Sequence, residues 1–237
     1  MFQSFEESAS SAASANRLEL LRAELAHLGV DGFIVPRADE HQGEYIPDAA
    51  ARLAWLTGFS GSAGYAVVLP DSATLFVDGR YTTQARDQVD PAVMQTASSI
   101  DTPLPKYLSG VAAGMTIGFD PWLHTQAEAA ALRKAAEETG FKLVPLPHNP
   151  IDRIWQDRPL APKGKVVQHP ETLAGRSAAA KLDEMGETMR AAGGTAAVLT
   201  DPSSIAWVFN IRGQDVPHTP LPLSFAILKS DGRPTLF

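Results

Sequence analysis

Residues 65–76 read YAVVLPDSATLF, and residues 225–237 read FAILKSDGRPTLF. Each is an apolar run, a turn of Pro, Asp, Ser or Gly, and a second apolar run, which is the pattern of a β-hairpin. The likeness extends upstream. Leu53-Ala54-Trp55-Leu56 precedes the first stretch, and Ile205-Ala206-Trp207-Val208 precedes the second. Further back, Leu18, Leu21, Leu25 and Leu28 form one helical stripe by their 3/4 spacing, and Leu182, Met185, Met189 and Ala192 form another. Each member of the second stripe stands 164 positions after its counterpart (182 minus 18). Both stripes run into a Gly-containing stop and a short apolar strand, GFIVP at 32–36 and AAVLT at 196–200. Four elements recur in one order, and their offsets change only in the loops, so a unit has been duplicated.

After its hairpin the first copy continues. Tyr81–Val89 reads as a helix, and TIGFD at 116–120 as a strand. Thr125 with Glu128 makes a capping box that opens an Ala-rich helix ending at Gly140. FKLVPL at 141–146 reads as a strand, and Asn149-Pro150 opens a short helix to Trp155. Asn16 with Glu19 gives the first helix the same capping pattern. Strands alternating with helices predict an α/β layered fold, and the duplication predicts two tandem domains. The expected boundaries are a disordered tail over 1–15, domain I over 16–156, a Pro-rich linker over 157–165 and domain II over 166–237. The second copy holds only the opening elements of the first. The chain is therefore expected to be a fragment of a longer protein, with domain II truncated and a bare sheet edge at Thr235–Phe237.

Composition narrows the function. A hydrophobic fraction of 44% supports packed cores, and a net charge of −7 disfavours nucleic acid as partner. There is no cysteine, so thiolate chemistry and disulfides are excluded. No apolar run reaches the roughly 18–20 residues of a membrane span. The N-terminus has neither the basic start of a signal peptide nor the Arg of a mitochondrial leader, so the expected location is the cytoplasm.

Several polar constellations could carry chemistry. GFSGSAG at 58–64 has the wrong glycine spacing for a phosphate loop, and Ser60 does not sit in a nucleophile elbow. It reads as a tight turn that carries Trp55 and Phe59 into the core. Asp39, His41 and Glu44 could begin a metal site, but no third ligand is identifiable beside the pair within four residues. The alternative is a hydrogen-bonded loop with Tyr45 turned inward. In VDGRY at 77–81, Asp78 and Arg80 could cap the next helix or pair with one another. NIRGQDVPHTP at 210–220 is a polar, Gly- and Pro-bearing loop holding Arg212, Asp215 and His218. Such loops carry function disproportionately. Arg212 and Asp215 either form an internal ion pair or face a ligand. The residues show no Ser/His/Asp set and no paired-carboxylate motif.

Taken together, HQGEY at 41–45, GFSGSAG, DGRY with the following QA, and VFNIRGQD at 208–215 resemble the N-terminal half of the Xaa-Pro aminopeptidase (aminopeptidase P) family, in its three-domain form. Gly43 departs from the Ser usual there, and VPHTP at 216–220 departs from the pattern in which Asn often precedes the Pro. The resemblance implies two creatinase-type N-terminal domains, each a mixed sheet flanked by helices. It also implies a missing C-terminal pita-bread catalytic domain that holds two divalent metals, commonly manganese. The implied reaction removes an N-terminal residue that precedes proline. The chain itself would then be non-catalytic, with no cofactor and no metal ligands. It would shape substrate access and assembly, and its partners would be its own catalytic domain, peptides with proline second, and a second copy in a homodimer. Arg212, Asp215 and His218 would lie nearest the substrate entrance, with His41, Tyr45 and Arg80 as second choices. Other readings are a protein-binding module like the large subunit of the FACT histone chaperone, or the N-domain of a prolidase or creatinase.

Overall fold

The computed structural model describes residues 11–237. The expected tail over 1–15 falls partly outside them. Where it is described it is helical: a 3₁₀ turn, Ser11–Ala13, leads into helix α1 (Ser14–Leu28). The expected Asn16 cap is not formed. Ala13 occupies the N-cap without a side-chain bond, and Asn16 lies inside the helix. Alanine is the best helix former, so the small-residue run extends the helix two residues upstream of the polar cap. Ser14, Leu18, Leu21 and Leu25 are buried, and Gly29 ends the helix at a φ of 69°, as a left-handed C-cap.

The described chain divides into two compact units. The first comprises residues up to Glu40 together with Ala49–Pro159. After α1 it runs β1 (Gly32–Pro36), α2 (Arg52–Thr57), β2 (Tyr65–Val68), β3 (Ala73–Val77), α3 (Thr82–Gln88), β4 (Gln95–Ser98), α4 (Leu104–Val111), β5 (Thr116–Phe119), α5 (Gln126–Thr139), β6 (Lys142–Pro145) and α6 (Pro150–Ile154). The six strands form one sheet in the order β4-β3-β2-β1-β5-β6. The central β3-β2-β1 stretch is antiparallel, and the outer pairings are parallel. Alternate side chains face opposite layers. Phe33, Val35, Ala66, Val68, Leu75 and Val77 pack with α1, α2 and α6. Ile34, Val67, Phe76, Ile117 and Phe119 pack with α4 and α5.

The capping box of Thr125 with Glu128 and the cap of α6 by Asn149 are formed as expected. Strand β4 and helix α4 were not visible in the sequence. Gln95-Thr96-Ala97-Ser98 has no apolar alternation, because an edge strand needs only a backbone ladder, here to β3. The bidentate ion pair of Arg52 with Asp152 (2.7 and 2.9 Å) ties α2 to α6, and Arg158 joins it at 2.7 Å.

The second unit comprises His41–Asp48 and Leu160–Phe237. It contains β7 (Val167–Gln168), α7 (Glu171–Ala174), α8 (Ala178–Ala191), β8 (Ala196–Leu199), α9 (Pro202–Phe209), β9 (Ile211–Arg212), β10 (Ala226–Lys229) and β11 (Thr235–Leu236). Strands β11-β10-β8 form one sheet, and β7 pairs with β9. Ser177 caps α8 and Asp201 caps α9.

The duplication read from the residues is present in the hydrogen-bond register. In the first unit, Phe33 pairs with Val68, Ile34 with Val67 and Val35 with Ala66. Their counterparts pair identically: Ala197 with Leu228, Val198 with Ile227 and Leu199 with Ala226. The hairpin agrees too, since Ala66–Leu75 and Val67–Thr74 correspond to Ala226–Leu236 and Ile227–Thr235. Gly58 and Asn210, at matching positions after α2 and α9, are both left-handed C-caps. One further match was not seen in the sequence. Arg17 donates to the Trp55 carbonyl and lies 4.8 Å over that ring, while Lys181, its counterpart, donates to the Trp207 carbonyl at 2.7 Å and lies 4.2 Å over that ring. A one-residue slip of either strand would move every side chain to the opposite face, so coincident register is strong support for one unit used twice.

The two copies differ in what covers them. Ile34 is 0% exposed beneath α4 and α5, whereas its counterpart Val198 is 67% exposed. Trp55 stacks on Trp155 at 5.3 Å, whereas Trp207 is 51% exposed. Ile34→Ala should therefore cost about 2–4 kcal/mol, and Val198→Ala less than about 0.5 kcal/mol, in urea unfolding of this chain. Similar losses at both sites would contradict the uncovered face.

Asp201 supplies a pH test. Its carboxyl accepts from the Ser204 hydroxyl (2.6 Å) and from the Ser203 and Ser204 amides, and these bonds hold its pKa below the usual carboxylate value. A depressed folded pKa contributes stability that is present above the unfolded value of about 3.9 and is lost as pH falls through the lower folded value. Asp201→Ala should cost about 1 kcal/mol at pH 7, and its deficit should shrink as the pH falls below the unfolded carboxylate value. A deficit independent of pH would show that the charge does not matter.

Candidate functional site

The polar loop after α9 begins at Asn210, which the left-handed cap places at a φ of 49° and buries. Its side chain donates to the Arg176 carbonyl at 2.8 Å and accepts from Lys181 Nζ at 2.7 Å. Lys181 is 2% exposed and has two carbonyl-type acceptors and the Trp207 ring, but no carboxylate among the described residues. Burying an ammonium requires that its donors be satisfied, and these groups satisfy them. Lys181 sits beside the apolar stripe of α8 and did not stand out in the sequence. Aligning it with Arg17 across the repeat was the signal that could have found it.

The expected ion pair between Arg212 and Asp215 is not formed among the described residues. Arg212 Nη1 donates to the carbonyls of Ile211 (2.8 Å) and Ala206 (3.4 Å). Asp215 instead clamps two backbone segments: Oδ1 accepts from the Gly164 amide at 2.7 Å and Oδ2 from the Leu223 amide at 2.8 Å. Orphaned backbone amides are costly and oriented toward negative charge, so they outcompete the flexible guanidinium three residues away. The clamp leaves no room for side chains. A β-carbon on Gly164 would lie 2.7 Å from the Gln214 carbonyl carbon, and one on Gly213 would lie 2.4 Å from the Pro222 nitrogen. His218 is exposed at a φ of 59°, in the turn closed by the Val216–Thr219 bridge.

His41 and Tyr45 lie in the segment His41–Asp48, which belongs to this same unit. The His41 ring stacks on Phe225 with centroids 4.4 Å apart, and Nδ1 is 3.0 Å from the Thr200 carbonyl, so Nδ1 is the protonated nitrogen. Tyr45 does not turn inward, contrary to expectation; it is 61% exposed. The loop is anchored by the imidazole instead, which stacks and donates at once. Arg80 lies in the other unit, in a bidentate pair with Asp78 (2.8 and 3.1 Å) that holds the Asp78 carboxyl below its usual pKa. That is one of the two roles foreseen for the pair. The Gly58–Gly64 turn is also as read: Phe59 is buried, and Ser60 is held by Gln84 and Gln88.

Five of the six candidate side chains therefore fall in one unit, and three share one loop. That loop is a rigid polar rim rather than a set of reactive groups. No group of three or more His, Asp or Glu that could hold a metal ion occurs among the described residues. The clamp gives a test. Asp215→Ala should cost about 2 kcal/mol because two amides lose their acceptor, while Arg212→Ala should cost under about 1 kcal/mol. Equal losses that couple in a double-mutant cycle would restore the ion pair.

Comparison with known proteins agrees with this architecture. Residues 17–154 match the Creatinase/Prolidase N-terminal domain family, and residues 157–237 match a second family of the same description. Curated relatives include a probable Xaa-Pro aminopeptidase P of Coccidioides posadasii, 36% identical over 91% of this chain, and one of Colletotrichum graminicola, 37% identical over 92%. The chain spans 36% of the length of each. A solved structure, the X-prolyl aminopeptidase of Caenorhabditis elegans, described as a cytosolic enzyme with a di-nuclear active site, superimposes with a TM-score of 0.89. It is 30% identical, and the match covers 95% of this chain and 39% of that one. With the in-register repeat, these matches show that the chain belongs to the creatinase/prolidase N-terminal domain family, whose module it carries twice.

Proposed function

We propose that this chain is the non-catalytic N-terminal region of a metal-dependent Xaa-Pro aminopeptidase. The carrying observation is the 0.89 superposition on the C. elegans enzyme, confined to 39% of that chain. In this reading the two modules shape access to an active site supplied by a C-terminal domain and help assemble a cytoplasmic homodimer. The described residues offer no ligand set for a pair of divalent metals, so no step of peptide hydrolysis is assigned to them. The metals, manganese by resemblance, would polarise the scissile carbonyl and supply a hydroxide from the other domain.

The contribution of this chain would be steric and electrostatic. Proline's bond lacks an amide hydrogen and has a fixed φ, so a dedicated entrance has to select it by shape. The Asp215 clamp would hold the rim carrying Arg212 and His218 rigid at that entrance, which lowers the ordering cost of substrate binding.

The test has two arms. The chain incubated with Mn²⁺ should release no arginine from Arg-Pro-Pro above blank, and release would overturn the non-catalytic assignment. In the encoded full-length peptidase, Arg212→Ala and His218→Ala should raise KM or lower kcat severalfold. Unchanged kinetics in both would remove the entrance role.

A further inference from the structure

The crossover from β3 through α3 to β4 leaves a cavity of about 350 Å³ at the carboxyl ends of these two parallel strands. The volume lies in the usual range for small-molecule sites. Val77 and Ala97 give it an apolar wall, Thr82 adds a hydroxyl, and Gly79 leaves backbone uncovered. Arg86 and Asp101 line it with opposite charges.

Among the described residues these two charges are paired neither with each other nor with any other group. Asp101 is nevertheless held in place through its backbone. Its amide donates to Ser98 Oγ at 3.1 Å, and its carbonyl accepts from Lys106 Nζ at 3.2 Å. The adjacent charges Asp78 and Arg80, by contrast, are engaged with one another at 2.8 Å. A ligand of single charge would answer only one of the two open groups. A ligand bearing both an anion and a cation would answer both.

We propose that this cavity binds a small zwitterion, an α-amino acid or a dipeptide. Its carboxylate sits on Arg86, its ammonium on Asp101, and its side chain against Val77 and Ala97. The inference concerns the first unit alone and does not rest on the peptidase reading. Both charges are exposed, so solvent screening keeps the affinity roughly millimolar.

The test is amide chemical-shift mapping on the whole ¹⁵N-labelled chain, titrated with leucine, with glycyl-leucine and with N-acetyl-leucine amide. The last keeps the side chain and lacks both charges. Saturable shifts confined to Gly79, Thr82 and residues 96–101 are expected with leucine or glycyl-leucine, and none with the capped compound. Whichever saturates at lower concentration identifies the ligand size. Arg86→Ala and Asp101→Asn, both at the surface, should each weaken binding at least tenfold. Gly79→Leu should abolish it while leaving shifts elsewhere unchanged, since a β-carbon there meets nothing within 4 Å. The proposal fails if no shift saturates below about 50 mM, a concentration well above any millimolar dissociation constant. It fails equally if the capped compound binds as well, or if the charge variants bind like the parent chain.

Discussion

A sheet has two faces, and one helix can cover only one of them. That constraint organises both modules of this protein. The helix, strand and antiparallel hairpin that open each module cover the face bearing Phe33, Val35 and their counterparts, fully in the first unit and partly in the second, where Ala197 and Leu199 are half-buried. The opposite face needs further helices. In the first unit α4 and α5 supply them, and Ile34, Val67 and Phe76 are sealed. In the second, the residues matching Ile34 and Val67 are Val198, which is exposed, and Ile227, which is half-buried. Apolar area of this kind carries roughly 25 cal/mol per Å² of unrealised burial, so the second module holds together chiefly through the face it does cover.

What keeps that covered face in register is partly polar. In each copy a cation on the first helix reaches the carbonyl of a tryptophan on the second and lies across its ring. The bond fixes the axial position of one helix against the other, and the ring shields the charge from water. Arginine serves in one copy and lysine in the other, although their geometries are not equivalent. The shared requirement is a donor long enough to reach the helix C-terminus, where carbonyls lack intrahelical partners. The lysine takes up a further acceptor in Asn210, which ties the cap of α9 to the start of the candidate rim. The stability of the module and the shape of its polar loop are thus linked through one buried ammonium.

The family relationship and the rim fit together physically. Asp215 joins residues on both sides of the loop through backbone amides, with two glycines allowing the close approach. A loop built this way presents side chains in fixed positions without using them for chemistry.

The sequence alone determined the module, its repetition and most of its elements. Apolar periodicity, a capping box and hairpin turn residues are local signals, and local signals survive without coordinates. The repeated Trp, the leucine stripe and the offsets between them were sufficient to predict an α/β fold written twice. Only the tertiary structure decided the rest. Strand β4 is polar and exists because β3 offers it a ladder. Asn16 lost its cap to a run of helix-forming alanines. Tyr45 faces solvent because His41 anchors its loop, and Asp215 serves two distant amides rather than the arginine three residues away. Each of these outcomes turns on which donor or acceptor is left without a partner after folding, and that competition is settled between segments far apart in the chain.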